Sequence, residues 1–257
     1  MIRDSRLRRR CACFVAPVLS FVVFPRAAEA QEAGLHSVVE ANATSLFGAS
    51  SQTLTSLSAA FSSVGDGFNA DVKLNFRYGE SEDANQVKFV SSRGWVVAVS
   101  IDGTPKGRFT SFVSGSAEAS LEKRIAERRS GGAGAKWMFA KSTTGAAMVS
   151  AAVLAERTAA LSDTAIGATS VARWSWRAKV EQRVDERLSL SHETAYAPIV
   201  NAPEQYTVVS TSVGSYAVNK TVALTLTFTD NYDSQARARG ATTNNDGSIL
   251  FGVRAGF

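Results

Sequence analysis

Phe68-Asn69-Ala70-Asp71-Val72-Lys73-Leu74-Asn75-Phe76-Arg77-Tyr78 decides the fold. Its apolar residues occupy every second position, and amides and charges fill the gaps. A period of two puts the two sets on opposite faces of one extended strand. The pattern recurs. Ala172, Trp174, Trp176, Ala178 and Val180 oppose Arg173, Ser175, Arg177, Lys179 and Glu181, and Val222, Leu224, Leu226 and Phe228 oppose Ala223, Thr225, Thr227 and Thr229. Residues 87–101 keep one phase through Val87, Phe89, Trp95, Val97, Val99 and Ile101, interrupted by Arg93.

Extending outward gives about twelve such segments, near 35–46, 53–64, 68–79, 86–102, 108–121, 131–142, 145–157, 169–184, 187–199, 205–218, 220–231 and 247–257. The first alternates poorly. Some joins are very short (65–67, 143–145, 185–186, 219), whereas the loops near 122–130, 158–168, 200–204 and 232–246 are longer and polar. Tight turns and longer loops take turns along the second half. That order predicts an all-β, up-and-down antiparallel barrel with one short-turn rim and one long-loop rim. Residues 122–130 are read as a charged loop rather than a helical turn, because no apolar stripe accompanies them.

Alternation alone does not say which face meets lipid. Twelve strands enclose more volume than the alanines, valines and few bulky residues here could fill densely. Reversing the faces removes the problem, with lipid on the apolar side and water or paired charge inside. Ten to fourteen residues at about 3.3 Å each, tilted about 40°, cover an apolar band of roughly 25 Å. The expectation is therefore a transmembrane barrel, with soluble exported β-domain as the competing class. Phe251, Val253, Ala255 and Phe257 end the chain on one strand face, resembling the signal read by the outer-membrane assembly machinery. With both termini periplasmic the strand count is even, and the long loops face outside. Tyr78, Trp95, Trp137, Trp174, Trp176, Tyr206, Tyr216 and Phe257 are candidates for interfacial girdles.

Composition agrees with export. The 257 residues hold 28 Lys and Arg against 23 Asp and Glu. Six of those bases and two of those acids lie in residues 1–30, leaving 22 against 21. So balanced a remainder sets nucleic-acid binding aside. Arg3 to Arg10 form a basic region, Phe14 to Phe24 an apolar one, and Ala28-Glu29-Ala30 a cleavage pattern. Residues 1–30 are thus expected to be a signal peptide and residues 31–257 the barrel. Cys11 and Cys13 both precede the apolar region, so the exported chain carries no cysteine.

Ala172 to Ala178, Asp185 to Ser191 and Asn244 to Phe257 resemble the YdiY-like, salt-induced outer-membrane protein family of Gram-negative bacteria. Leu121 to Arg124 and Asp230 to Ser234 are similar too. The resemblance covers residues 35 to 257 approximately. It implies a small β-barrel whose expression responds to salt, and it carries over no active-site residue.

Chemistry is sparse. The sequence contains two histidines, His36 and His192. Ser191 points away from the His192 face, so only Ser210 or Ser212 of a neighbouring strand could serve it as a nucleophile. A membrane-embedded lipid or ester hydrolase is therefore the alternative, and the expectation is no enzyme, no cofactor and no metal site. Asp230, Asp233 and Asp246 are expected to pair with Arg237 or Arg239, or with cations bridging lipopolysaccharide. Asn69, Asp71, Lys73, Asn75 and Arg77, with Arg173, Arg177, Lys179, Glu181 and Arg183, are the candidate lumen-lining rows. Such rows either tune ion selectivity or pair and plug the interior. The expected partners are outer-membrane lipids and lipopolysaccharide, with periplasmic chaperones and the barrel-insertion machinery at assembly.

Overall fold

The computed structural model describes residues 34–46, 52–65, 67–82, 87–103, 107–161 and 168–256. The signal segment, Cys11, Cys13 and Phe257 lie outside them. Twelve strands follow one another along the chain: β1 (Gly34–Leu46), β2 (Gln52–Val64), β3 (Phe68–Glu82), β4 (Lys88–Gly103), β5 (Phe109–Ser120), β6 (Ile125–Lys141), β7 (Gly145–Ala160), β8 (Thr169–Arg183), β9 (Leu188–Ile199), β10 (Ala202–Ala217), β11 (Val222–Asp233) and β12 (Asn245–Gly256). Each pairs antiparallel with the next, and β1 pairs with β12 from Val38↔Gly256 to Ala43↔Phe251. Among the described residues the strands close into one all-β barrel, with six paired positions at the β1–β12 seam.

The turns on the rim that holds both described ends are built by side-chain oxygens. Asn219 Oδ1 accepts the amides of Thr221 and Val222, both at 2.8 Å. Asp185 Oδ1 accepts those of Arg187 and Leu188, both at 2.7 Å, and these bonds hold its carboxyl below the usual aspartate range. Ser142 Oγ accepts the amides of Thr144 and Gly145. Such Asx- and Ser-type turns reverse a strand within a few residues. The opposite rim carries residues 121–124, 200–201 and 234–244, the last with one 3-10 turn at Arg237–Arg239.

Two segments differ from the sequence reading. Only Leu121–Arg124 turns, and β6 starts at Ile125, so most of 122–130 is strand rather than loop. Charge on both faces there conceals the alternation: Arg128 points inward while Glu127 and Arg129 point outward. Likewise Val200 and Asn201 alone turn, and β10 already runs from Ala202. In β4 a bulge between the Gly79 and Glu80 pairings resets the phase, so Val90 opposite Glu80, and not Phe89, follows Arg93 on the outer face.

Burial is inverted relative to a water-soluble domain. Among the described residues the buried hydrophobics are Ile125, Ala152, Ala236 and Leu250, against eleven buried polar or charged residues. Phe76, Trp176, Leu226, Phe251 and Val253 lie exposed on the outer wall. An apolar surface this continuous is not one that water solvates well. Gly132 and Gly134, facing inward on β6, allow a tight approach to β7. A Cβ at either would come to 2.0 Å from the Val153 carbonyl oxygen or 2.2 Å from that of Ala151.

Candidate functional site

The strand period and pairing register place Asn69, Asp71, Lys73, Asn75 and Arg77 on the inner wall of β3. They place Arg173, Arg177, Lys179, Glu181 and Arg183 on the inner wall of β8. The two rows do not meet. What the interior brings together is different in its two halves.

In the half next to the 234–244 loop, charge is buried and interlocked. Arg128 of β6 is the hub. Its Nη1 donates to Glu118 Oε1 on β5 at 2.9 Å, its Nη2 to Asp233 Oδ2 on β11 at 3.0 Å, and its Nε to Thr158 Oγ1 on β7 at 3.1 Å. Glu156 lies 3.6 Å from the same Nε. Arg173 approaches Glu156 to 3.0 Å and donates its Nη1 to the Ala197 carbonyl at 2.9 Å. Side-chain exposure is 10% for Arg128, 9% for Glu156, 5% for Arg173 and 3% for Asp233, so water hardly reaches this layer. β6 and β11 stand on well-separated arcs of the wall. The Arg128–Asp233 pair therefore bridges the lumen.

A lid lies over the bridge. From the 234–244 loop Arg239 donates its Nη2 to Asp233 at 2.6 Å and its Nε to the Lys123 carbonyl, in the turn between β5 and β6, at 3.1 Å. Ala236, whose carbonyl accepts the Arg239 amide, is 2% exposed, and Ile125 at the start of β6 is 1% exposed. Arg77 joins from β3 and donates to Asp246 of β12 at 3.2 Å, with Glu122 at 3.5 Å. Burial would raise the Glu122 carboxyl. The Ser92 and Ser120 hydroxyls, the Arg77 charge and the backbone amide outweigh it and hold that carboxyl below its ordinary value.

In the other half exposure is mixed, with Glu40 and Thr225 buried and Arg177 open. Arg177, 51% exposed, pairs with Glu193 at 3.2 Å, and Lys179 pairs with Glu181 at 2.5 Å. Lys136 binds Asp102 at 2.6 Å and sits 5.0 Å from the Phe112 ring centroid. Arg254 reaches Glu40 at 2.7 Å, and Thr225 donates to the same carboxylate at 3.2 Å. Buried, interlocked charge is thus concentrated next to the loops, while Arg177, Glu181 and Glu193 are more exposed to the interior space.

Sequence reasoning named Arg77, Arg173 and Asp233 but missed Arg128, Glu118 and Glu156. The signal available was Glu118, Arg128 and Glu156 at matching strand phase. Placing 122–130 in a loop broke that phase. Of the three loop aspartates, Asp233 meets Arg239 as expected, Asp246 meets Arg77 instead, and Asp230 faces outward opposite Gly247.

His192 lies on the outer wall. Its Nδ1 is 2.8 Å from Ser212 Oγ and its Nε2 2.9 Å from Thr194 Oγ1, which in turn contacts Ser210 at 3.0 Å. Both ring nitrogens meet hydroxyls, whereas a serine hydrolase orients its histidine with a carboxylate or amide. Aromatic clusters lie outside near both rims, with Phe76, Trp95, Trp174, Trp176 and Phe251 between them. Near the loop rim Tyr206 stacks on Tyr232 at 5.4 Å between centroids and meets Tyr196 at a tilt at 5.5 Å. Phe109 and Trp137 stack at 5.9 Å near the other rim.

Comparison with known proteins fits this geometry. Residues 39–257 match a family described as protein of unknown function, DUF481. No curated protein matches the chain. Among solved structures, the NanC porin is 10% identical over 85% of this chain and 98% of its own, with a TM-score of 0.51. An outer membrane channel from Pseudomonas putida F1 is 9% identical over 91% of this chain and 98% of its own, with a TM-score of 0.49. At such identities the NanC likeness speaks for a shared barrel fold and for nothing more specific.

Proposed function

The chain belongs to the DUF481 family of proteins of unknown function, and we propose that it is an outer-membrane β-barrel whose lumen is held shut at its loop end, with a structural, stress-related role in the envelope. The observation that carries this is the Arg128–Asp233 bridge, with Arg239 over it. A buried arginine with three carboxylates around it and a loop clamped over the pair supports a lumen closed at this end. The exposed apolar wall and the aromatic clusters near both rims support membrane insertion. A basic segment, an apolar segment and an A-x-A pattern in residues 1–30 support export through a cleaved signal peptide. Induction by salt, which the family resemblance implies, is part of the same proposal. The rim of tight turns and described chain ends faces the periplasm in this reading.

The experiment is single-channel recording on refolded mature protein in a planar bilayer. The closed-barrel reading expects an electrically silent, heat-modifiable, protease-resistant barrel, and conductance steps once Arg128 and Asp233 are both replaced by alanine. Stable steps in the unmodified protein would instead make it a narrow pore. A hydrolase on the outer wall is the alternative class, favoured by the His192–Ser212 contact, and it is tested separately by activity on lipid esters.

A further inference from the structure

Arg129 of β6 and Arg157 of β7 are direct cross-strand partners on the outer wall near the loop rim. Like charges set opposite each other in a ladder repel, and water or a counter-ion must offset the repulsion. Glu127 contacts Arg129 at 2.6 Å, and their side chains are 43% and 70% exposed. These three residues, with Ala159 and Ala168, line a cleft of about 270 Å³. Two guanidiniums share it with one carboxylate among those lining residues, which leaves an excess positive charge.

A second feature runs down from the cleft. Directly below the arginines the outer faces of β6, β7 and β8 carry Gly131, Ala155 and Ala172 side by side, with Ala133, Ala135 and Ala151 further down. They form a low apolar strip toward the middle of the wall, bordered by the taller Val153, Trp174 and Trp176. A charged head over a low apolar strip has the shape of a lipid. We propose that a phosphate-bearing lipid of the leaflet at the loop rim docks here, its phosphate between Arg129 and Arg157 and an acyl chain along the strip. Guanidinium forks match phosphate oxygens in pairs. A second copy of the chain fits less well. A twofold axis along the membrane normal would set Arg129 and Arg157 against their own equivalents at the same height.

This inference rests on the outer-membrane reading, and the test separates the two. Unmodified protein, Arg129→Ala/Arg157→Ala and Ala155→Leu are floated with phosphatidylcholine vesicles, then titrated in neutral detergent with diphosphoryl lipid A, phosphatidylcholine and inorganic phosphate, with bound species counted by native mass spectrometry. The lipid site expects equal flotation of all three proteins. It also expects selective retention of diphosphoryl lipid A, weakened at least tenfold by the double arginine variant and also by Ala155→Leu. Lys179→Ala, on the inner wall, should bind as the unmodified protein does. Failure to float would sink the membrane reading itself. Normal flotation with undiminished lipid A binding in the double variant overturns the lipid site alone. So does inorganic phosphate displacing the lipid at equal concentration, or a lipid-independent dimer that Ala155→Leu disperses.

Discussion

Arg128 on β6 donates a hydrogen bond to Asp233 on β11 at 3.0 Å, across the barrel interior and 105 residues further along the chain. That contact ties two distant arcs of the wall together and anchors the loop that Arg239 belongs to. Its geometry also sets unequal consequences for its partners.

Arg128→Met would leave Glu118, Glu156 and Asp233 without their common cation. Removing one member of a buried charge cluster typically costs about 3–5 kcal/mol. Asp233→Asn should cost less, because Arg128 keeps Glu118 at 2.9 Å. The two variants are ranked by the urea concentration at which the heat-modifiable gel shift disappears. An Asp233→Asn barrel less stable than Arg128→Met would contradict the hub assignment.

Glu122 links acidity to the lid. Its folded carboxyl titrates below its ordinary value. Unfolded protein therefore binds a proton first as pH falls, and the stabilisation is fully present above the ordinary glutamate value of about 4.3. It is lost as pH drops through the lower folded value. Stability should fall over that acid window, and Glu122→Gln should flatten the slope there. An unchanged slope in the variant would remove Glu122 from the linkage.

Gly132 and Gly131 are neighbours with opposite tolerance. A Cβ at Gly132 meets the Val153 carbonyl oxygen at 2.0 Å, whereas one at Gly131 has the Ser114 carbonyl oxygen at 3.8 Å, an ordinary contact. Gly132→Ala should destabilise by about 1–3 kcal/mol or more, as overpacking does. Gly131→Ala should fall within about 0.5 kcal/mol of the parent. Equal unfolding midpoints for the two variants would argue against the tight β6–β7 approach.

All four tryptophans, Trp95, Trp137, Trp174 and Trp176, lie on the outer wall, 39% to 52% exposed. In bilayers containing brominated lipid their fluorescence should be quenched strongly, and aqueous iodide should have little effect. The reverse pattern would mean that the wall faces water.

His192→Ala tests the hydrolase alternative. The expectation is that purified protein shows no lipid-ester turnover above background, with or without the substitution. Turnover in the unmodified protein that disappears in His192→Ala would make the Ser212–His192 pair catalytic.

Strand phase was readable from residues such as Phe68 to Tyr78 and Ala172 to Val180, because a period of two is local and a membrane wall needs it on every strand. The same local rule carried the other strands and their two faces, whereas β1, which alternates poorly, was counted because periplasmic ends require an even number of strands. It failed at 122–130 for a physical reason. Near the loop rim the inner face carries the ion pairs and the outer face carries Arg129, so both faces are charged and alternation vanishes although the strand persists. The bulge beyond Gly79 hid the phase of β4 in the same local way. Only closure of the barrel could decide the rest. Which carboxylates surround Arg128 depends on the stagger accumulated over the strands between β6 and β11 and on the path of the 234–244 loop. Those are distances through space, and no spacing along the chain encodes them. The sequence by itself determined an amphipathic, twelve-stranded wall with charge on its inner face. The tertiary structure decided that part of this charge is gathered into a buried network around Arg128 and Asp233 beside the loops.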